Sequence, residues 1–199
     1  MKTYLRPCRK PTRMPVLLTL LGLLCLARSA PAVDVGASAP DFTLPSTTET
    51  TISLSQFKGK KHVLLQFYTM DFNPVCTANL QARMAEQRAF DQLNIQLVAI
   101  SASNPFSQKM FAASLGLSYP LVSDHPDLRV IQRYGVVQHL GEAQLPVARG
   151  AFFLIDQQGI VRGKWINPPG ELFPNATLLK AAQNLYTDPD TAISAVGRP

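Results

Sequence analysis

The chain has 199 residues, of which 46% are hydrophobic, so it is long enough for one packed domain and too apolar for a disordered one. Its formal net charge of +6 would suit a nucleic-acid partner, but the excess lies entirely in residues 1–33, where no acidic residue occurs. Residues 34–199 carry 13 basic and 13 acidic residues, so this part has no basic excess with which to bind a phosphate backbone. We therefore expect no nucleic-acid partner.

The N-terminal segment has the order of features typical of a secretory signal peptide. Basic residues come first, the apolar run Val16–Ala27 follows, and small residues come next. This run of 12 residues is shorter than the ~20 that span a bilayer comfortably, which favours cleavage after Ala32. An uncleaved membrane anchor is the alternative, because the basic segment is long. We expect residues 1–32 to be the signal peptide, 33–199 to form one domain, and the protein to be exported to the periplasm or secreted.

The cysteines suggest where the chemistry of the exported domain lies. Of the three cysteines, Cys8 and Cys25 lie in the predicted signal peptide, so Cys76 alone remains in 33–199. An intramolecular disulfide is then impossible. A single cysteine in an exported protein indicates an intermolecular bridge or a reactive thiol, and the alternative is an inert cysteine in the core.

Predicted strands and helices alternate along the chain. Short apolar runs at His62–Tyr68 and Ile95–Ser101 are typical of buried strands. Between them, residues 80–93 have apolar side chains at a spacing of three to four, which predicts one helix. A second helix is predicted over Asn104–Leu115, with Gly116 ending it.

The second half of the domain continues this alternation. A third helix is predicted within 124–135, a hairpin over 150–166 with its turn at Gly159, and a final helix over Asn175–Leu185. Strands that alternate with helices predict an α/β domain with a mixed central sheet flanked by helices.

This pattern places Cys76 at the start of a helix. Asn73 is a favoured N-cap residue and Pro74 a favoured first helical residue, so Cys76 falls at the third helical position. Unpaired backbone N–H groups and the helix dipole there favour a thiolate over a thiol. The dipole alone contributes only about 0.3–1 kcal/mol at an exposed site, so we also expect a nearby cation.

The segment FYTMDFNPVCT, residues 67–77, resembles the active-site segment of the peroxiredoxins of the alkyl hydroperoxide reductase and thiol-specific antioxidant type. Segments similar to this family follow its order over 35–162, and include YPLVSD and RGAFFLIDQQGIVR. The resemblance implies a thioredoxin-like fold and a thiol peroxidase that needs no metal or other cofactor. It also implies that Cys76 is the peroxidatic cysteine and that Arg149 flanks it. A guanidinium could stabilise the thiolate and donate to both oxygens of a peroxide.

Several positions depart from the pattern of that family. Thr69 stands where the family has proline, and Asn73 stands where it has threonine or serine; both are candidate substrate-binding residues. Asn79 replaces a frequent glutamate. Gln81 occupies the position of a possible resolving cysteine. The resemblance therefore implies a one-cysteine-like enzyme that reduces hydrogen peroxide or alkyl hydroperoxides, forms a sulfenic acid, and is recycled by an external thiol, such as a thioredoxin-like protein or a small thiol. It leaves a homodimer open.

Two other classes of function compete with the peroxidase. A thiol-disulfide oxidoreductase or copper-delivery protein typically has two cysteines separated by two or three residues, a spacing that is absent here. A catalytically weak binding or redox-sensor protein is the second alternative, motivated by Thr69 and Asn73. The three histidines have no paired spacing, so we expect no metal site. Pro168 and Pro169 are expected to shape a strand end rather than a recognition site.

Overall fold

The architecture comes from a computed structural model, which describes residues 33–187; the predicted signal peptide, with Cys8 and Cys25, lies outside the described residues. The strands are β1 (Thr43–Pro45), β2 (Thr51–Ser53), β3 (His62–Phe67), β4 (Ile95–Ser101), β5 (Leu121–Ser123), β6 (Val137–Leu140), β7 (Leu145–Ala148), β8 (Ala151–Ile155) and β9 (Val161–Ile166). The helices are α1 (Pro74–Ala85), α2 (Gln87–Gln92), α3 (Pro105–Leu115), α4 (Arg129–Arg133) and α5 (Asn175–Thr187), with one 3-10 turn at Leu54–Phe57.

A five-stranded mixed sheet forms the centre of the fold, with the strand order β5-β4-β3-β8-β9. The pairs β3–β4 and β4–β5 are parallel, whereas β3–β8 and β8–β9 are antiparallel. The predicted mixed α/β architecture is therefore confirmed. Two small hairpins, β1–β2 and β6–β7, lie outside this sheet and were not predicted.

Apolar side chains cover both faces of the sheet. Val63, Leu65 and Phe67 of β3 contribute to one core cluster, whereas Leu64 contributes to the other. The second cluster also contains buried residues of four helices, namely Leu80, Phe90, Phe111 and Leu178. Because both faces of β3 are covered, every residue of this strand is buried, which explains its nearly continuous apolar sequence.

The predicted helix over Asn104–Leu115 has the expected boundaries. Asn104 caps α3 by accepting a hydrogen bond from the Ser107 N–H at 2.9 Å, and Gly116 ends the helix with a φ of +62°. The predicted single helix over 80–93 is wrong in one respect, because Glu86 adopts a non-helical conformation and separates α1 from α2. After this break, Phe90 of α2 is completely buried.

The predicted hairpin and the last two predicted helices are present, with some changes in their boundaries. The hairpin over 150–166 is β8–β9, and Gly159 has a φ of +83° in its turn. The third helix is shorter than predicted, since only Arg129–Arg133 is helical, although the Asp124 carboxylate accepts a hydrogen bond from the Ile131 N–H at 2.7 Å. The final helix, α5, extends to Thr187. Among residues 33–187, no helix is long and apolar enough to cross a membrane.

His62, at the start of β3, generates a prediction about stability. Its side chain is buried, its ring lies edge-on to Tyr186 of α5 with centroids 5.5 Å apart, and its Nδ1 has no hydrogen-bond partner. Burial lowers the pKa of His62 below its ordinary value of 6.5, and the charge of Asp156 opposes this shift in part. The folded state therefore binds this proton less readily than the unfolded state, and stability falls as the pH falls through about 6.5.

We expect the free energy of unfolding, measured by urea titration, to decrease between pH 7.5 and pH 5.5. The decrease should be smaller for a His62→Gln variant, which has no group that titrates in this range. Equal decreases in the two proteins would contradict the assignment to His62.

Candidate active site

Cys76 lies at the third residue of α1, directly after the loop that follows the carboxyl end of β3. This edge of an open α/β sheet is where ligands usually bind. The cysteine is only 9% exposed, but it lines a cavity of about 280 Å³. The sulfur-bearing residue is therefore part of a cavity wall rather than sealed inside the apolar core.

The cavity brings together the four site residues that the sequence nominated. Cys76, Arg149, Asn73 and Thr69 all line it. Arg149 lies between β7 and β8, where its backbone N–H donates to the Val136 carbonyl at 2.7 Å. The guanidinium is exposed and has no ion pair or side-chain hydrogen bond with any residue of 33–187. Its donors are therefore free to bind a ligand in the cavity.

Asn73 is the N-cap of α1, as predicted. Its Oδ1 accepts hydrogen bonds from the N–H groups of Val75 at 3.0 Å and Cys76 at 3.1 Å. Thr77 N–H donates to the Asn73 carbonyl at 2.8 Å, and Pro74 has no N–H.

These bonds correct one expectation from the sequence. The backbone N–H groups of the first turn are already paired with Asn73, so they are not free to stabilise a sulfur or oxygen anion. Asn73 and Arg149 line the cavity, and neither the Asn73 Nδ2 group nor the Arg149 guanidinium has a hydrogen-bond partner among residues 33–187. The helix dipole still favours negative charge at this end.

Thr69 connects the cavity to the β6–β7 hairpin. Gln138 of β6 donates from its Nε2 to the Thr69 hydroxyl at 3.3 Å and to the Ala148 carbonyl at 3.2 Å. Sequence reasoning missed Gln138 because it missed the hairpin that carries it. Threonine at the position of the family proline therefore supplies an acceptor that proline lacks.

The loop between β3 and α1 is held in place by Asp71. Its carboxylate accepts hydrogen bonds from the Tyr68 hydroxyl at 2.9 Å and the Ser107 hydroxyl at 2.5 Å. Burial, and the charge of Asp71, raise the pKa of Tyr68 well above its ordinary value, so this phenol keeps the proton that it donates. Phe72, the next residue, has a φ of +59°, an uncommon conformation for a bulky side chain. The loop is therefore a tethered and strained segment that ends at the cap of α1.

A second loop, residues 167–173, forms another wall of the cavity through Asn167, Pro168, Pro169 and Gly170. The two prolines follow the end of β9, as expected, and they also line the cavity. Asn79 of α1 holds this loop, because its Nδ2 donates to the Glu171 carbonyl and its Oδ1 accepts from the Phe173 N–H, both at 3.0 Å. An amide can donate and accept at once, whereas the ionised glutamate frequent at this position can only accept.

Arg83 lies on the same face of α1 as Cys76 and Asn79, and was not predicted as a site residue. Its side chain is 1% exposed, lies 5.2 Å above the Phe152 ring, and donates to the Phe173 carbonyl at 2.5 Å. Burial lowers the pKa of Arg83 to about 10, with Tyr119 and Glu86 opposing the shift. Arg83 therefore carries a buried positive charge below the cavity wall at neutral pH.

Metal ligation finds no support in this part of the chain. Among residues 33–187, no group of three or more His, Cys, Asp or Glu side chains could hold a metal ion. Cys76 is the free cysteine of these residues.

Known proteins share both the sequence and the fold described above. A family model described as the AhpC/TSA family matches residues 35–164. Alkyl hydroperoxide reductase E of Mycobacterium tuberculosis is 32% identical over 164 residues, covering 82% of this chain and 99% of that protein. The chloroplastic 2-cysteine peroxiredoxin of Chattonella marina var. antiqua is 32% identical over 146 residues, covering 68% of this chain and 72% of that protein.

Solved structures agree with this assignment. The crystal structure of the reduced 2-Cys peroxiredoxin of Plasmodium vivax matches with a TM-score of 0.67 and 27% identity, covering 77% of this chain and 82% of that one. The peroxiredoxin 6 of Arenicola marina, at 19% identity, shares the fold with a TM-score of 0.73. The chain therefore belongs to the AhpC/TSA family and is a peroxiredoxin-type thiol peroxidase with a thioredoxin-like fold.

Proposed function

We propose that the protein reduces hydrogen peroxide or alkyl hydroperoxides through Cys76 as its single peroxidatic cysteine. The observation that carries this proposal is the cavity at the start of α1, because Cys76, Asn73 and Arg149 all line it. A nucleophile and two sets of hydrogen-bond donors thus surround one volume large enough for a hydroperoxide.

The proposed reaction starts with the Cys76 thiolate, which attacks the terminal oxygen of the hydroperoxide. A sulfur–oxygen bond forms, the oxygen–oxygen bond breaks, and the second oxygen leaves as an alkoxide or hydroxide that takes up a proton to give an alcohol or water. Arg149 and the Asn73 amide stabilise the charge that develops on this leaving oxygen. The sulfur is oxidised to a sulfenic acid and the peroxide is reduced.

The regeneration step requires a thiol from outside the exported chain. Residues 33–199 contain no cysteine besides Cys76, so the sulfenic acid condenses with an external thiol to give a mixed disulfide and water. A second external thiol then releases the Cys76 thiol by exchange. A thioredoxin-like protein or a small thiol fits this role.

The proposed mechanism makes three predictions, of which the first concerns stoichiometry. The mature chain, residues 33–199, should lose one thiol per molecule when mixed with hydrogen peroxide in a stopped-flow experiment, and a sulfenic acid trap should label it once. A Cys76→Ser variant, which has an oxygen of similar size but low nucleophilicity, should consume no peroxide above the background rate. Equal rates for the two proteins would rule out the proposed mechanism.

The second prediction concerns Arg149. Loss of one preorganised donor at a developing oxyanion costs about 10²- to 10³-fold in rate, so Arg149→Ala should slow the oxidation of Cys76 by about 100-fold or more. Arg149→Lys keeps the charge but loses the paired donors, and should have an intermediate rate. Arg129, which is exposed, pairs with Asp127 and lies outside the Cys76 cavity, provides the matched control. If Arg129→Ala slowed the oxidation of Cys76 as much as Arg149→Ala does, the loss of rate would reflect the net charge of the protein, and the proposed role of Arg149 at the leaving oxygen would be wrong.

The third prediction separates the capping role of Asn73 from its role in the cavity. Asn73→Ala should lower the free energy of unfolding by about 1 kcal/mol and should also slow the oxidation of Cys76. Asn104 caps α3 with the same Asn-Pro sequence away from the cavity. Asn104→Ala should therefore cost similar stability without slowing oxidation. Asn73→Thr retains a cap and should keep most of the rate; a rate as low as that of Asn73→Ala would assign the donor role to the amide alone.

A catalytically weak redox sensor is the second candidate. It is favoured by the Thr69 hydroxyl, which accepts from Gln138, and by the Asn73 Oδ1, which is occupied as a cap. Sustained peroxide turnover with a supplied reductant would support the enzyme, whereas a single slow oxidation without turnover would support the sensor.

Export and assembly are further parts of the proposal. Export rests on the basic, apolar and small-residue order of 1–32, and N-terminal sequencing of the exported protein distinguishes a chain that begins at Val33 from an uncleaved anchor.

A homodimer would cover the exposed apolar side chains beside the loop of Asp71, namely Phe72, Phe106 and Met110. Sedimentation equilibrium measures this assembly directly.

A further inference from the structure

Gln138 holds the hydroxyl group of Thr69 at the Cys76 cavity. Thr69 comes two residues after the end of β3, is half-buried, and lines this cavity. Gln138 of β6 lines it as well, and its side-chain Nε2 lies 3.3 Å from the Thr69 Oγ1. This contact joins the loop after β3 to the β6–β7 hairpin at the place where the proposed reaction occurs.

A second bond of the same amide fixes the direction of this contact. The Gln138 Nε2 also lies 3.2 Å from the Ala148 carbonyl oxygen, which can only accept a hydrogen bond. The atom of the Gln138 amide that faces Thr69 is therefore the nitrogen and not the oxygen. Because this nitrogen can only donate, the Thr69 Oγ1 is the acceptor.

Accepting this bond leaves the hydrogen of the Thr69 hydroxyl available. A hydroxyl group has one donor hydrogen and two acceptor lone pairs, so it can accept from Gln138 and donate elsewhere at the same time. The Thr69 hydroxyl donates to no residue of 33–187. A ligand in the cavity that Thr69 lines can therefore receive this hydrogen.

Gln138 also relates the position of Thr69 to that of Arg149. The Ala148 carbonyl and the Arg149 N–H belong to one peptide group; the carbonyl accepts from Gln138, and the N–H donates to the Val136 carbonyl at 2.7 Å. This peptide group is thus fixed from both sides. Thr69 and Arg149, which are distant in the sequence, are held beside the same cavity by the hairpin that lies between them.

We propose that Thr69 is a catalytic residue, which donates its hydroxyl hydrogen to an oxygen of the bound hydroperoxide, and that Gln138 is the positioning residue that holds this hydroxyl. This inference rests on the peroxidase function proposed above and deepens it. Thr69 adds a neutral hydroxyl donor to the charged donor of Arg149 and the amide donor of Asn73, so that the negative charge of the transition state is shared among three side chains.

The test of Thr69 measures the rate of Cys76 oxidation by hydrogen peroxide in a single turnover of residues 33–199. Thr69→Val removes the hydroxyl and keeps the shape, and should slow oxidation by about 10- to 100-fold, the effect of one hydrogen bond to a charged oxygen. Thr69→Ser keeps the hydroxyl and should keep most of the rate. Thr47→Val is the matched control, because the half-buried Thr47 accepts from the Leu121 N–H at 3.0 Å outside the cavity. The control should oxidise at the rate of the unaltered protein.

The test of Gln138 is a double-mutant cycle with Thr69. Gln138→Met removes the amide and leaves the hydroxyl without its fixed partner, so oxidation should slow by about 3- to 10-fold. In the Thr69→Val background, Gln138→Met should cause no further slowing, because no hydroxyl remains to be positioned. Gln144→Met is the matched control, since Gln144 lies in the turn of the same hairpin, outside the cavity, and donates to the Gly141 carbonyl at 3.0 Å.

Alkylation of Cys76 by iodoacetamide separates a role in the reaction from a structural role. This reagent reacts with the same sulfur but contains no peroxide oxygen. Thr69→Val and Gln138→Met should therefore slow oxidation by peroxide much more than alkylation. Equal slowing of the two reactions would show that the substitutions displace Cys76, and would overturn the inference.

The outcomes also separate this inference from the proposed function. Oxidation of Thr69→Val at the rate of the unaltered protein would overturn the role of Thr69 and leave the peroxidase intact. Equal slowing by Gln138→Met in both backgrounds would overturn the role of Gln138, since this residue would then act without the hydroxyl. If the unaltered protein consumed hydrogen peroxide no faster than Cys76→Ser, the peroxidase and this inference would be overturned together.

Discussion

The pair of hydrogen bonds from the N–H groups of Val75 and Cys76 to Asn73 Oδ1 is the interaction on which the site depends. It ends the loop after β3, starts α1, and determines where the sulfur lies relative to the sheet. The same bonds consume backbone donors that could otherwise bind an anion. Side chains rather than backbone N–H groups must therefore donate hydrogen bonds to an anion in the cavity, and the Arg149 guanidinium and the Asn73 Nδ2 group can do so.

Hydrogen bonds fix the two loops that flank the start of α1. The loop before it is attached to α3 through Asp71 and Ser107, and the loop 167–173 is attached to α1 through Asn79. Each tether is a polar contact between a helix and a loop, made by Ser107 in the first turn of α3 and by Asn79 in the second turn of α1. The sheet and helices thus provide rigidity, while a few hydrogen bonds between distant segments shape the volume in which a substrate would react.

Local signals in the sequence were sufficient to predict β3, β4, α3 and the cap of α1. The two strands are continuous apolar runs, and the two helices begin after an Asn-Pro pair, so each signal depends on neighbouring residues only. The β6–β7 hairpin was missed, since most of its residues are partly or fully exposed and show no clear alternation. Asn79 and the loop 167–173 could not be paired from the sequence, because more than 90 residues separate their hydrogen-bonded atoms. Arg149 came from family resemblance, as nothing in its own neighbourhood distinguishes it from a surface arginine.

The position of Asn79, one turn beyond Cys76 on α1, has a mechanical consequence. The helix that contains Cys76 also contains Asn79, whose hydrogen bonds hold the loop 167–173 against the cavity. Unwinding the first two turns of α1 would displace Cys76 and, in the same movement, break the two hydrogen bonds by which Asn79 holds the loop 167–173. The position of the sulfur and the attachment of this wall of the cavity are therefore coupled through one turn of α1.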